Sequence, residues 1–114
     1  VNIFVDAKVL STQSYDLNNS VLTAQNGAEC FKATDGNAKE IASLLGGVQK
    51  NNIVSVTYDE NWNAVKTNNY TYQLTITISQ SQGNISSAEI SVTKDTDILY
   101  SLKASTFIDI AAGD

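Results

Sequence analysis

The hydrophobic period of this chain changes at Ile53, and that switch restricts the fold to a helical part followed by a sheet. Before it, Ile3, Ala7, Leu10, Ser14, Leu17, Val21, Ala24, Ala28 and Phe31 alternate spacings of four and three, which keeps them on one helix face. Ser14 alone interrupts the apolar stripe, and Lys8, Gln13, Asp16, Asn19, Gln25 and Lys32 fall off it. The spacing predicts a helix over residues 1–34. At 1.5 Å rise, about 31 residues span roughly 46 Å, well beyond the usual globular helix. No start signal sets off the first five residues, so the stripe reads either as a core helix with a frayed start or as a helix that continues upstream of Val1. Asn18-Asn19 and Gly27 weaken it locally, and a bend is expected near one or the other.

Thr34-Asp35-Gly36-Asn37 should end this helix, with Gly36 taking the left-handed conformation. Asn37 then caps a short second helix, Ala38 to Leu45, with Ile41, Leu44 and Leu45 turned inward and Gly46-Gly47 closing it. Residues 35–52 are thus a compact link.

From Ile53 the alternation is two-residue. Val54, Val56 and Tyr58 share one face of a first strand, Asp59-Glu60-Asn61 turns the chain, and Trp62 to Val65 form a short return segment. Tyr70, Tyr72, Leu74, Ile76 and Ile78 alternate with Thr71, Gln73, Thr75, Thr77 and Ser79. Ser81-Gln82-Gly83-Asn84 reads as a hairpin loop, followed by Ala88, Ile90 and Val92, a turn at Lys94 to Asp97, and Ile98, Tyr100, Leu102 and Ala104. The expected fold is therefore α+β, one domain over residues 1–114. A long N-terminal helix covers the apolar face of a three- to four-stranded antiparallel meander in residues 53–110.

Composition removes several chemistries. The chain has 114 residues and a net charge of −5, its seven basic residues are all lysine, and it has no histidine and one cysteine, Cys30. Without histidine, the usual Cys/His zinc sites and the Ser-His and Cys-His nucleophile pairs are excluded within one chain. Without a lysine cluster nothing would follow a phosphate backbone, so nucleic acid is not an expected partner. No apolar run approaches the roughly 20 residues of a membrane helix.

The segment Ala24-Gln25-Asn26-Gly27-Ala28-Glu29-Cys30-Phe31-Lys32-Ala33 is similar to a helix of Gram-positive pilin-like proteins. Ser87-Ala88-Glu89-Ile90-Ser91-Val92-Thr93 and Leu99-Tyr100-Ser101-Leu102 are similar to the strands that close such domains. Taken in order, these runs make the chain resemble type IV pilins and type II secretion pseudopilins. The prepilin cleavage segment, the membrane half-helix and the paired cysteines of many Gram-negative members are absent from it. What the resemblance implies is a structural, non-enzymatic subunit at the cell surface that needs no cofactor. It would be membrane-anchored before assembly through a segment upstream of Val1, and would join other pilin-like subunits. Ile3, Ala7, Leu10, Leu17, Val21, Ala24, Ala28 and Phe31 are then its assembly and packing face.

Cys30 reads as a small, partly buried hydrophobe. Asp59, Glu60, Asp95 and Asp97 read as turn residues, since the spacing of a calcium-binding EF-hand loop is missing. Asn18, Asn69 and Asn84 open Asn-x-Ser/Thr triplets that a chain rich in these residues produces by chance. Trp62 reads either as a lid over one end of the core or as an exposed contact. A secreted or surface-displayed binding module is the alternative function. Trp62, Lys66, Thr67, Asn68 and Asn69 are the first place to look for its surface. A small enzyme of the cystatin-like helix-on-sheet class is disfavoured, because Asp16 and Glu29 lie off the stripe and Glu60 sits at a turn.

Overall fold

A computed structural model describes residues 4–9, 14–80 and 85–107, with side chains for 16–79 and 85–106. The elements run β1 (Phe4–Val9), α1 (Ser14–Ala33), α2 (Ala38–Leu45), β2 (Val48–Lys50), β3 (Ile53–Tyr58), β4 (Ala64–Val65), β5 (Tyr72–Gln80), β6 (Ile85–Lys94) and β7 (Asp97–Phe107). Six strands lie in the order β1-β7-β6-β5-β3-β2, all pairings being antiparallel, and β4 pairs β3 off this path.

The largest correction falls on the first third of the chain. In place of one long helix spine there are a six-residue strand and a 20-residue helix. The four-and-three spacing had a rival, because Phe4-Val5-Asp6-Ala7-Lys8-Val9 also alternates with period two. As β1 it sets Val5, Ala7 and Val9 opposite Ala104, Leu102 and Tyr100, the apolar register of β7. Strand pairing satisfies the free backbone edge of β7, which a helix could not do, and tertiary pairing thus overrides local period. Ala7 belongs to β1, while Ile3 and Leu10 lie outside the described residues. The expected three- to four-stranded meander is likewise part of a wider sheet, extended by β1 on one side and β2 on the other.

From Leu17 onward the stripe packs as spaced. Ala24, Ala28 and Phe31 are buried, and Leu17 and Val21 pack against the core partly exposed. Small residues let the helix sit close, and a Cβ on Gly27 would stand 3.1 Å from Ile76 Cδ1. Ser20, fully buried beside the stripe, donates its hydroxyl to the Asp16 carbonyl at 2.6 Å. The helix ends with Gly36 N–H donating to the Phe31 carbonyl and Asp35 N–H to that of Lys32, both residues having positive φ. The Asn37 side chain accepts from Glu40 N–H and starts α2 as the sequence predicts, but Leu44 turns out to solvent at 64% exposure.

The inner sheet face carries Val54, Val56, Tyr58, Tyr72, Leu74, Ile76, Ile78, Ala88, Ile90, Val92, Tyr100, Leu102 and Ala104, all buried. One register shift between Val92 and Thr93 sets Val92 opposite Tyr100 and Thr93 opposite Ile98. The bulge buries Leu99 and puts Ile98 outside, correcting the expected inward Ile98.

Candidate functional site

Two aromatic residues in the β3–β5 connection have opposite fates. Asp59 Oδ1 accepts from the N–H groups of Asn61 and Asn63, each at 2.9 Å, and holds a tight loop in which Trp62 has φ +64. That geometry folds the indole back over the inner face, where it stacks on Tyr72 with centroids 3.8 Å apart and meets Tyr58 at 6.0 Å. Tyr72 donates its hydroxyl to Asp16 Oδ1 at 2.8 Å, and Lys94 Nζ stands 3.8 Å from Asp16 Oδ2. Trp62 is thus half-buried and covers the corner of the core beside the first turn of α1. Its Nε1 is buried without a hydrogen-bond partner among the described residues. Burial pushes the Tyr58 hydroxyl up to about 12, with a smaller contribution from Cys30.

Tyr70 goes the other way. The sequence alternation places it on the apolar face of β5, but that strand begins at Tyr72, and Tyr70 is 42% exposed. Its hydroxyl donates to Gln73 Oε1 at 3.3 Å on the outer face. The segment around it bounds a cleft of about 250 Å³. Ser55, Thr57 and Gln73 form its floor; Gly46, Gly47 and Val48 form one wall; Val65, Lys66, Thr67, Asn68 and Tyr70 form the other. Thr57 Oγ1 donates to the Val65 carbonyl at 2.6 Å and Thr67 Oγ1 to that of Asn69 at 3.1 Å, which pins the second wall. The first wall is fixed by Gly47, where a Cβ would lie 2.5 Å from the Ser55 carbonyl oxygen.

The floor continues as rows of polar side chains across the sheet. Ser55, Thr75, Ser91 and Ser101 stand opposite one another on β3, β5, β6 and β7, with Thr57, Gln73 and Thr93 in the next row. A larger hollow of about 580 Å³ opens at the other end, between the α1–α2 turn and Asn52, Ile78, Ser79 and Ser86. Three of its polar side chains hold the fold together: Asn37 caps α2, Thr34 Oγ1 donates to the Cys30 carbonyl, and Asn52 Nδ2 donates to the Ile78 carbonyl, while Asp35, Ser79 and Ser86 also line it. In the smaller cleft the Ser55 hydroxyl, Gln73 Nε2 and Lys66 Nζ have no hydrogen bond or ion pair with other described residues.

The structure brings Lys66, Thr67 and Asn68 of the sequence-chosen segment into this cleft and sends Trp62 away from it. Tyr70 supplies the aromatic ring instead. Its signal in the sequence was the polar run Lys66-Thr67-Asn68-Asn69 before it, which prevents the strand from starting earlier. Of the helix-face residues, Ala24, Ala28 and Phe31 are buried inside this domain, and Leu17 and Val21 pack against its core partly exposed. Cys30 is half-buried, and burial followed by the Glu29 charge pushes its thiol above the ordinary range. Among the described residues no three His, Cys, Asp or Glu side chains are grouped to hold a metal, and no helix is long and apolar enough to cross a membrane. Compared with known proteins, the chain matches no family model, no curated protein and no solved structure.

Proposed function

We propose that this chain is a binding module displayed outside the cytoplasm, and that it holds its ligand in the outer-face cleft without catalysing a reaction. One observation carries the proposal: unbonded polar groups of Ser55, Gln73 and Lys66 line the same cleft as the half-exposed Tyr70 ring. A concave site with an aromatic wall and a few convergent polar groups is the usual form of a ligand site. Its hydroxyls, amide and single ammonium suit holding a ligand, since proton transfer near neutral pH is served by side chains of intermediate pKa. The experiment is an NMR titration of the ¹⁵N-labelled chain with a panel of sugars, peptides and organic ions. Saturable shifts centred on Tyr70, Gln73 and Lys66 are the expected result, and shifts that avoid these residues for every probe would overturn it.

A second reading, a structural subunit of a type IV pilus or type II secretion-like filament, is favoured by the helical segment Ala24–Ala33 that resembles such proteins. Its assembly would rest on surfaces other than an overhanging helix, because residues 4–9 are β1. Among the described residues, Leu22 on α1 and Leu44 on α2 are exposed large apolar side chains. A precursor with a retained apolar segment of roughly 20 residues ahead of Val1 would support this reading. A cleaved secretory signal with no retained span would sink it.

A further inference from the structure

We infer that the ligand of the outer-face cleft is a neutral, linear, β-linked oligosaccharide lying across the strands, an inference that rests on reading this cleft as the binding site. Tyr70 is 42% exposed as a residue, and its ring is tethered through its hydroxyl to Gln73 Oε1. A fixed aromatic face is what the apolar C–H face of a pyranose stacks on, with little side-chain entropy left to lose. The groups around it are two-way hydrogen-bonders of the kind sugar hydroxyls match. The Ser55 hydroxyl both donates and accepts, Thr57 Oγ1 still accepts, and Gln73 Nε2 donates.

Charge narrows the class. The chain carries twelve acidic residues, yet among the described residues none lines the cleft, where Lys66 is the one ionised side chain. A polyanion would meet one lysine against a net charge of −5, and a polycation would find no carboxylate to pair with. A neutral ligand meets neither penalty.

Shape supplies the length. The row Ser55, Thr75, Ser91 and Ser101 leads from the cleft floor across four neighbouring strands. Strands lie about 4.8 Å apart, comparable to the advance of one ring in a β-linked chain, so successive rings meet successive hydroxyls. An extended peptide would instead need a long free strand edge, and β2 beside the cleft has only three residues.

The test titrates the intact chain with cello- and chito-oligosaccharides from dimer to hexamer, by calorimetry and by ¹⁵N shifts. A carboxylated oligosaccharide and an extended heptapeptide are run beside them. The expected result is saturable binding that tightens about tenfold from dimer to hexamer, with shifts running from Tyr70 to Ser101. Tyr70→Ala should weaken the hexamer about tenfold and Tyr70→Phe should retain most of the binding, both with an unchanged thermal midpoint. Thr75→Val should weaken the hexamer but not the dimer. Neutral oligosaccharides without effect, while the peptide or the acidic sugar shifts the cleft residues, would overturn the glycan class and leave the cleft as a site. No shift at the cleft with any probe would overturn both.

Discussion

The two faces of the sheet are built from the same strands and do opposite work. On the inner face Val54, Val56, Leu74, Ile76, Ile90 and Val92 are sealed under α1 and α2; on the outer face their neighbours Ser55, Thr57, Thr75, Thr77 and Ser91 stay partly open. The pleat does this sorting residue by residue, so period two in the sequence is enough to specify it. In the β3–β5 connection there is no pleat, and the aromatics are sorted by turn geometry: Trp62 inward and Tyr70 outward. Within strands chemistry follows pattern, and between them it follows local hydrogen bonds.

Substituting neighbours on β5 tests that division hardest. Leu74→Ala opens a void in a site with no exposed surface, and should cost about 2–5 kcal/mol in urea unfolding. Thr75→Ala, one residue on, should stay within about 0.5 kcal/mol. Equal losses would show that the outer face is also packed against something. Gly47→Ala comes next. Its Cβ would press on the Ser55 carbonyl at 2.5 Å and Val56 Cγ2 at 2.6 Å, neither of them a flexible chain end. A loss of about 1–3 kcal/mol is expected, together with altered shifts at Ser55 and Val48.

Alkaline titration separates the faces by chemistry. Tyr58 keeps its proton in the folded chain up to about 12, whereas the unfolded chain releases it near the ordinary tyrosine value of about 10. Between those values the folded state binds more protons, so stability is complete below pH 10 and falls as pH rises toward 12. Two units correspond to about 2–3 kcal/mol. Cys30 contributes in the same direction from lower pH, its thiol also being held protonated by burial. Tyr58→Phe should flatten the decline above pH 10 in urea titrations at stepped pH, and an unchanged slope would remove Tyr58 as its source.

Much of this architecture was legible in the residues. Strands β3, β5 and β6, helix α2 with its Asn37 cap, and the helix face from Leu17 to Phe31 follow from periodicity and caps. Residues 4–9 did not, because both periods fit so short a run and the free edge of β7 decided between them. Ile98 was misplaced because a one-residue bulge leaves no mark on an alternating pattern. For the candidate site, the polar run after Val65 marks a segment that lines the outer-face cleft. Which aromatic stays outside depended on the Asp59 turn and on where β5 begins, and neither is encoded in hydrophobic period.

The smallest expected effect is the sharpest test of why Trp62 points inward. Its ring is stacked on Tyr72 while its Nε1 is buried with no acceptor among the described residues. An orphaned buried donor costs about 1–3 kcal/mol, so the indole gives back part of what its stacking contributes. Trp62→Phe keeps an aromatic ring over Tyr72 and removes the donor; the lost area and the removed penalty oppose each other. The net change should be under about 1 kcal/mol, whereas Trp62→Ala uncovers the corner and should cost about 2 kcal/mol or more. If the two variants unfold at the same urea concentration, the N–H has a partner and Trp62 is held by that bond rather than by its ring. If Phe is tolerated and Ala is not, the indole is a lid on the inner face, and Tyr70 is left as the aromatic that faces outward from this connection.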